Sequence, residues 1–377
     1  MLPVTAAVVV VALAADLHNR PHAFGIDFHT YLAAAMVGIQ HGWSQIYDQG
    51  LVAVAQKHVV PTLWSQPYIS PPLVAWVVAP LSAVPYGAAL DIWMAITLGA
   101  LLAALIWSTD YRGWDRALLV AAAMVPWWVL HSVQVGQVVP LVAAGLIVAW
   151  RLLRDRRDVA AGIVLGVILL KPNTALWVPL VLLVAGRAKA FTAWLAVAAM
   201  VGVFSLIALG QSGLSAYLHD LSRLPNGAND LTLNGTFGLG GAAAMIVRVA
   251  IILGALVTAY RLRSTPGLAI AVGALASLIT SPYLHGSDLC VFLAAGWMTW
   301  HEREAPAWRA MLTAMWFFAT PFVVFDIKGG ALLNRWAVAE LVLFLAILLN
   351  AWFGALVSRW TRRALTTPSD LGRQAAA

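Results

Sequence analysis

Five groups of polar residues interrupt the apolar runs of this chain, and each holds side chains that can handle a proton, a hydroxyl or a phosphate. The first is Gly25-Ile26-Asp27-Phe28-His29-Thr30-Tyr31, just beyond the first apolar run. A carboxylate at a membrane–water boundary can act as general base toward a hydroxyl; Asp is also a favoured helix N-cap. His29 and Tyr31 beside it are candidate substrate contacts. The second is Gln66-Pro67-Tyr68-Ile69-Ser70-Pro71-Pro72, whose prolines suit the first turn of a helix and whose Tyr68 is a candidate ligand contact. The third, Gln134-Val135-Gly136-Gln137, reads either as close packing between two helices or as a cavity lining that presents Gln137.

The fourth group is Leu170-Lys171-Pro172-Asn173, a lysine beside a helix-breaking proline inside an apolar segment. Broken membrane helices are tolerated where they line a cavity, and a lysine there can hold a phosphate as a point charge. The bland alternative is that the ammonium snorkels to the interface. The fifth is Ser281-Pro282-Tyr283-Leu284-His285-Gly286-Ser287-Asp288. A histidine near a phosphate can donate a hydrogen bond or a proton, and His285 and Asp288, three apart, can share one helical face. Tyr283 and Asp288 join the candidate substrate contacts.

Other chemistries lack their signatures. No P-loop, GxGxxG loop or GxSxG elbow occurs. No HExxH pattern accompanies the histidines, no DxD-like pair lies in 16–67, and a single cysteine, Cys290, excludes an intramolecular disulfide. No metal site and no cofactor is therefore expected. A net charge of +7 could point to nucleic acid, but the basic residues stand in short clusters between apolar runs: Arg151–Arg157, Arg187 with Lys189, Arg261 with Arg263, and Arg359–Arg363. That is the pattern of cytoplasmic loops, so membrane lipids rather than nucleic acid are the expected surroundings.

The elements that must position these groups are membrane helices. Hydrophobic residues make up 62% of the 377 residues and charged residues only 10%, too few to cover a soluble globule. Apolar runs fall near 2–15, 68–85, 87–107, 117–131, 134–150, 190–210, 241–260, 267–282, 286–300, 307–325 and 331–353. The first lacks a cleavage signal and is expected to be retained. Without strand-like alternation, the fold expected is all-α: one polytopic domain over 1–377 with about 11–13 spans. Segment 159–185, interrupted at Lys171-Pro172-Asn173, is a kinked span or a hairpin, and the basic clusters on both flanks favour the hairpin. Two polar stretches, 16–67 and 211–240, are expected as external loops, the first with interfacial helical material over Tyr31–Gln45, and 359–377 as a cytoplasmic tail. Counting crossings from the two ends leaves a mismatch of one, assigned to 108–150.

In this order the motifs resemble glycosyltransferase family 87, also called domain-of-unknown-function family 2029. The resemblance runs through Asp27, Gly42–Tyr47, Tyr68–Pro72, Ala79-Pro80-Leu81, Gly136-Gln137, Ala161-Gly162, Lys171-Pro172 and Gly210. It continues through Tyr217-Leu218, Asn234-Gly235-Thr236 and the Ser281–Asp288 group. The chain departs at Tyr68-Ile-Ser-Pro, where an aromatic–Tyr–Pro run is common, and at Asn234-Gly-Thr, where a serine often follows more closely. The resemblance implies a type C-like transferase with its active site on the extracytoplasmic face of the inner (plasma) membrane. It would be an inverting, metal-independent mannosyltransferase of glycolipid or cell-envelope synthesis. The donor would be a polyprenyl-phosphate sugar and the acceptor a lipid or glycan. Asp27 would be the base, and Lys171, His285, Tyr68, Gln137 and Asn234 would bind the donor. The competing reading of the same broken helix and buried lysine is a transporter or flippase of lipid-linked sugars.

Overall fold

The computed structural model describes residues 24–223, 231–319 and 338–353, and among these residues all regular structure is helical. The expected run at 2–15 and the tail 359–377 lie outside the described residues, as do 16–23, 224–230, 320–325 and 331–337 of other expected segments. In chain order the helices are α1 Ile26–His41, α2 Gln49–Val59, α3 Pro72–Val78, α4 Tyr86–Ser108, α5 Gly113–Met124, α6 Trp127–Gln134 and α7 Val139–Arg154. There follow α8 Asp158–Val164, α9 Val178–Val184, α10 Ala188–Ser222, α11 Leu233–Phe237, α12 Gly241–Arg261, α13 Pro266–Thr280, α14 Cys290–Glu302, α15 Pro306–Ala319 and α16 Val338–Phe353.

Three of these, α4, α10 and α12, are long and apolar enough to cross a bilayer alone, and α5 with α6, bent by 73° at their break, makes a fourth. The central helices are shorter than the roughly 20 residues of a full span: α7 has 16, α13 has 15 and α14 has 13. The near-continuous apolar runs thus divide into long outer helices and short inner ones. Every residue of α13 is buried, as a helix apolar on all sides must be. In the apolar window of α10, by contrast, only 6% of residues are buried inside the protein, which leaves that helix to face lipid.

The run at 68–85 forms no single helix long enough to cross a bilayer. Its prolines, Pro71, Pro72, Pro80 and Pro85, divide it into the seven-residue α3 and a 3₁₀ turn, Ala79–Ala83. Both ends are tied to the segment that carries α1 and α2. Tyr68 N–H donates to Gln49 Oε1 at 2.9 Å, and Tyr86 OH donates to the Gly25 carbonyl at 3.1 Å. Val74, Ala75 and Val78 pack with Phe28, Leu32 and Val37 of α1. Most of Ile26–Gly38 in α1 is therefore enclosed by other helices, while Ile39–Gly42 are exposed.

Three chain reversals share one hydrogen-bond pattern, in which the last amide of the turn reaches back five residues and its predecessor three. Gln137 N–H bonds Ser132 O and Gly136 N–H bonds Val133 O; Arg157 reaches Leu152 and Arg156 reaches Leu153; Arg187 reaches Leu182 and Gly186 reaches Leu183. Such a turn needs a left-handed residue, usually glycine. Gly136 at φ 73° and Gly186 at φ 81° supply it, while the middle turn uses Arg156 at φ 59°.

The last two reversals bracket a hairpin. From Asp158 the chain runs through α8 and a 3₁₀ stretch, Leu165–Leu170, and turns at Lys171. It then returns through α9 to Arg187, whose Nη1 lies 3.4 Å from Asp158 Oδ1. The segment thus leaves by the end at which it entered, and its tip stands roughly 20 Å from its base. At the base, Arg151 and Arg154 each meet Asp110 at 2.9 Å. At the tip end, the helix of α10 breaks at Gly210 (φ 60°, ψ −170°). Its last turns fold over the loop after α1, where Tyr217 packs on Tyr47 at 4.6 Å and Gln49 donates to Asp220 at 2.6 Å. The two long polar stretches accordingly meet at the same end of the molecule.

Close helix contact at the hairpin depends on Gly162, where an added Cβ would stand 2.1 Å from the Ala190 carbonyl oxygen. Backbone cannot yield as a flexible side chain does. Gly162→Val should lower stability toward the upper end of the roughly 1–3 kcal/mol typical of overpacking, read as a lower thermal midpoint in detergent; an unchanged midpoint would contradict this packing.

Candidate active site

The first turn of α1 has amides that its own helix cannot satisfy. The reversal after α6 supplies the acceptors: Gly25 N–H bonds Gln134 O at 2.7 Å, and the Asp27 and Phe28 amides bond Val135 O at 2.9 and 3.2 Å. Gly136 permits the approach, since a Cβ there would lie 2.4 Å from Phe28 Cβ, and its carbonyl takes the Trp93 indole N–H at 2.8 Å. The third motif is therefore both close packing and site lining. Gln137 Oε1 accepts the Val138 amide at 3.0 Å and the Tyr31 hydroxyl, which turns its Nε2 toward Asp27 Oδ2 at 2.9 Å.

Asp27 is not the N-cap; Gly25 holds that position, and the Asp27 side chain makes no cap hydrogen bond. Its Oδ1 receives no hydrogen bond from a described residue, and the side chain is half-buried. Burial pushes the Asp27 carboxyl above the ordinary carboxylate range, against the opposing pull of Lys171, His285 and His131, while Asp288 adds to the rise.

Lys171 stands at the hairpin tip, 13% exposed, with Nζ 2.7 Å from Oδ1 of the fully buried Asp288. Asp288 Oδ2 accepts the His285 amide at 2.8 Å, so one carboxylate orients both the lysine and the histidine turn. Asn173 Nδ2 donates to the Tyr283 carbonyl at 3.1 Å, and Tyr283 OH pairs with His285 Nε2. Burial lowers the affinity of the His285 imidazole for a proton. The lysine does not snorkel; it pairs inward.

Asp27, Gln137, Tyr31, Lys171, His285, Tyr283 and Asp288 are thus joined by bonds or by mutual charge interaction. Tyr68 lies fully buried beside them, its hydroxyl donating to Pro71 O at 2.9 Å and accepting the Ala75 amide at 3.2 Å. It works within the turn into α3. His29 points the other way, its Nε2 2.7 Å from the Gln56 carbonyl, and so fastens α1 to α2. Asn234, on the short α11, forms no side-chain hydrogen bond or ion pair with a described residue of the cluster. Two groups were missed by reading the motifs. His131 on α6 interacts electrostatically with both Asp27 and His285, and Glu340 on α16, 1% exposed, interacts with Asp288. Each is a titratable residue inside an apolar run, which was the available signal.

Fold and site together define an all-helical membrane protein with a polar cluster enclosed between helix ends. The model of glycosyltransferase family 87 matches residues 68–282, more than half of the 377 residues, and the chain belongs to that family. It is a membrane glycosyltransferase, and the membership puts it with enzymes rather than carriers. No curated protein and no solved structure matches it. Asp27, His285 and Asp288 lie outside the matched stretch.

Removing the lysine leaves buried Asp288 with the His285 amide but no counter-charge, so the insertion cost of a charge is the smaller consideration here. Breaking a buried pair from one side costs roughly 3–5 kcal/mol. Lys171→Met should therefore lower the thermal midpoint strongly, and Lys171→Met with Asp288→Asn should recover most of the loss. A double variant no more stable than the single one would remove the pair from this role.

Proposed function

We propose that the protein transfers a sugar, mannose in the first instance, from a polyprenyl-phosphate sugar to a lipid or glycan acceptor on the extracytoplasmic face, with Asp27 as the base. The observation that carries this reading is the unshared Asp27 Oδ1 standing in the charge field of Lys171, His285 and Asp288. Oδ1 takes the proton of the acceptor hydroxyl. The acceptor oxygen attacks the anomeric carbon from the face opposite the phosphate, and the bond from that carbon to the phosphate oxygen breaks. The electron pair leaves with the polyprenyl phosphate, and the configuration inverts.

Lys171 gives one of its three N–H donors to Asp288 and keeps two for the donor phosphate. His285 and Gln137 are the neighbouring hydrogen-bonding groups. A general base in such a step contributes roughly 10²–10⁴-fold. Asp27→Asn should lose at least about 100-fold in turnover while binding the donor normally, measured as transfer of labelled sugar from a polyprenyl-phosphate donor by purified protein. Turnover within a few-fold of wild type would remove Asp27 from the role. Because the base must be unprotonated, activity should fall as pH drops through the raised Asp27 value, placing the acid limb above the usual carboxylate value near 4.

The sidedness rests on the basic hairpin base lying opposite the cluster, with basic loops facing the cytoplasm. In a Cys290→Ser background, His58→Cys at the exposed end of α2 should react with a membrane-impermeant thiol reagent in intact cells. Lys189→Cys at the hairpin base should react only after permeabilisation. The reverse pattern would put the site in the cytoplasm.

A further inference from the structure

The hairpin base holds a cavity of about 630 Å³, away from the Asp27 cluster, lined by Trp150, Arg154, Arg156, Arg187, His301 and Glu302 among others. Its size lies within the roughly 300–1,000 Å³ of small-ligand pockets. Its acids are already committed. Glu302 Oε1 accepts the Trp150 indole N–H at 2.8 Å and the Gly267 amide at 2.9 Å, and Asp158 pairs with Arg187. Its bases are not all committed. Arg154 gives one nitrogen to Asp110 and lies 5.3 Å over the Trp150 ring. Arg156 is exposed, and no ion pair or hydrogen bond joins its side chain to a described residue.

Arg156 is also the residue that takes the left-handed position where both sister turns use glycine. A side chain there is unfavourable for the backbone, so the turn keeps a guanidinium at the cavity mouth against its own conformational preference. Guanidinium groups recognise phosphate through paired N–H donors. Basic pockets between the cytoplasmic ends of membrane helices are suited to phospholipid headgroups. The cavity opens at the ends of α7, α13 and α14, with Leu153 and Pro266 in its wall.

We propose that this cavity binds the phosphate of an anionic phospholipid headgroup through Arg154, Arg156 and Arg187. It is a lipid site on the opposite side of the membrane from the transfer chemistry. The proposal does not rest on the identity of the donor.

Arg156→Gly separates ligand from fold, because it removes the guanidinium while restoring the residue that the turn prefers. The experiment compares thermal midpoints of the full-length protein in nanodiscs of phosphatidylcholine, with and without phosphatidylglycerol. Wild type should gain stability with phosphatidylglycerol. Arg156→Gly should match or exceed wild type in phosphatidylcholine alone and lose most of the gain. Arg116→Gln, which removes an exposed cation beyond the cavity lining, should keep the gain. Inorganic phosphate added to phosphatidylcholine discs distinguishes the source: a rise equal to that from phosphatidylglycerol would make the ligand a soluble phosphate. The site assignment is overturned if wild type responds to neither probe, if Arg156→Gly keeps the full gain, or if Arg116→Gln loses as much. It is overturned too if Arg156→Gly falls below wild type in phosphatidylcholine.

Discussion

A charge inside a membrane protein needs a counter-charge, and the architecture around the site follows from meeting that need for Lys171. The ammonium sits at the turning point of a hairpin whose two arms are short and apolar. Asp288 answers it from a different part of the chain, and the same carboxylate ties down the His285 amide. Satisfying one charge therefore fixes the hairpin tip, the turn before α14 and the histidine together. Were the lysine to reach for the interface instead, the hairpin would lose its tip anchor and the turn would lose its cation.

A second requirement, that backbone amides find acceptors, places the acid. The amides at the start of α1 are met by the carbonyls of Gln134 and Val135, and two residues beyond Val135 is Gln137. Its amide cannot flip without presenting an oxygen to Asp27 and a nitrogen to the Val138 N–H, so one backbone bond dictates the polarity of a side chain. Asp27 thus sits at the positive end of a helix, with one oxygen held by Gln137 and the other without a hydrogen bond from a described residue.

Much of this was legible in the chain itself. Lysine beside proline in an apolar run identified the hairpin tip, and paired basic clusters identified its base, because charge placement near membranes is costly enough to leave a clear trace. The cluster around Asp27 was legible as five separate motifs. Their convergence was not, since it depends on pairings more than 100 residues apart, such as Gln137 with Asp27. Hydropathy did not show that 68–85 divides into short pieces packed against α1; the prolines at 71, 72, 80 and 85 were the guide to that. Tyr68 and His29 looked like ligand groups because they are polar and lie near the acid. Tyr68 bonds within its own turn, to Pro71 and Ala75, and His29 reaches Gln56, a pairing 27 residues away with no local signature.

The capping of α1 by the reversal after α6 has a consequence for biosynthesis. Asp27 leaves the ribosome 110 residues before Gln137 and 261 before Asp288. At about 5–20 residues per second, the first turn of α1 waits several seconds or more for its acceptors. The lysine of the hairpin then waits again for its carboxylate. Through that interval the nascent chain carries an exposed helix end and an unpaired ammonium beside the bilayer. The insertion machinery, or the water it admits, must shelter both until translation has passed Asp288.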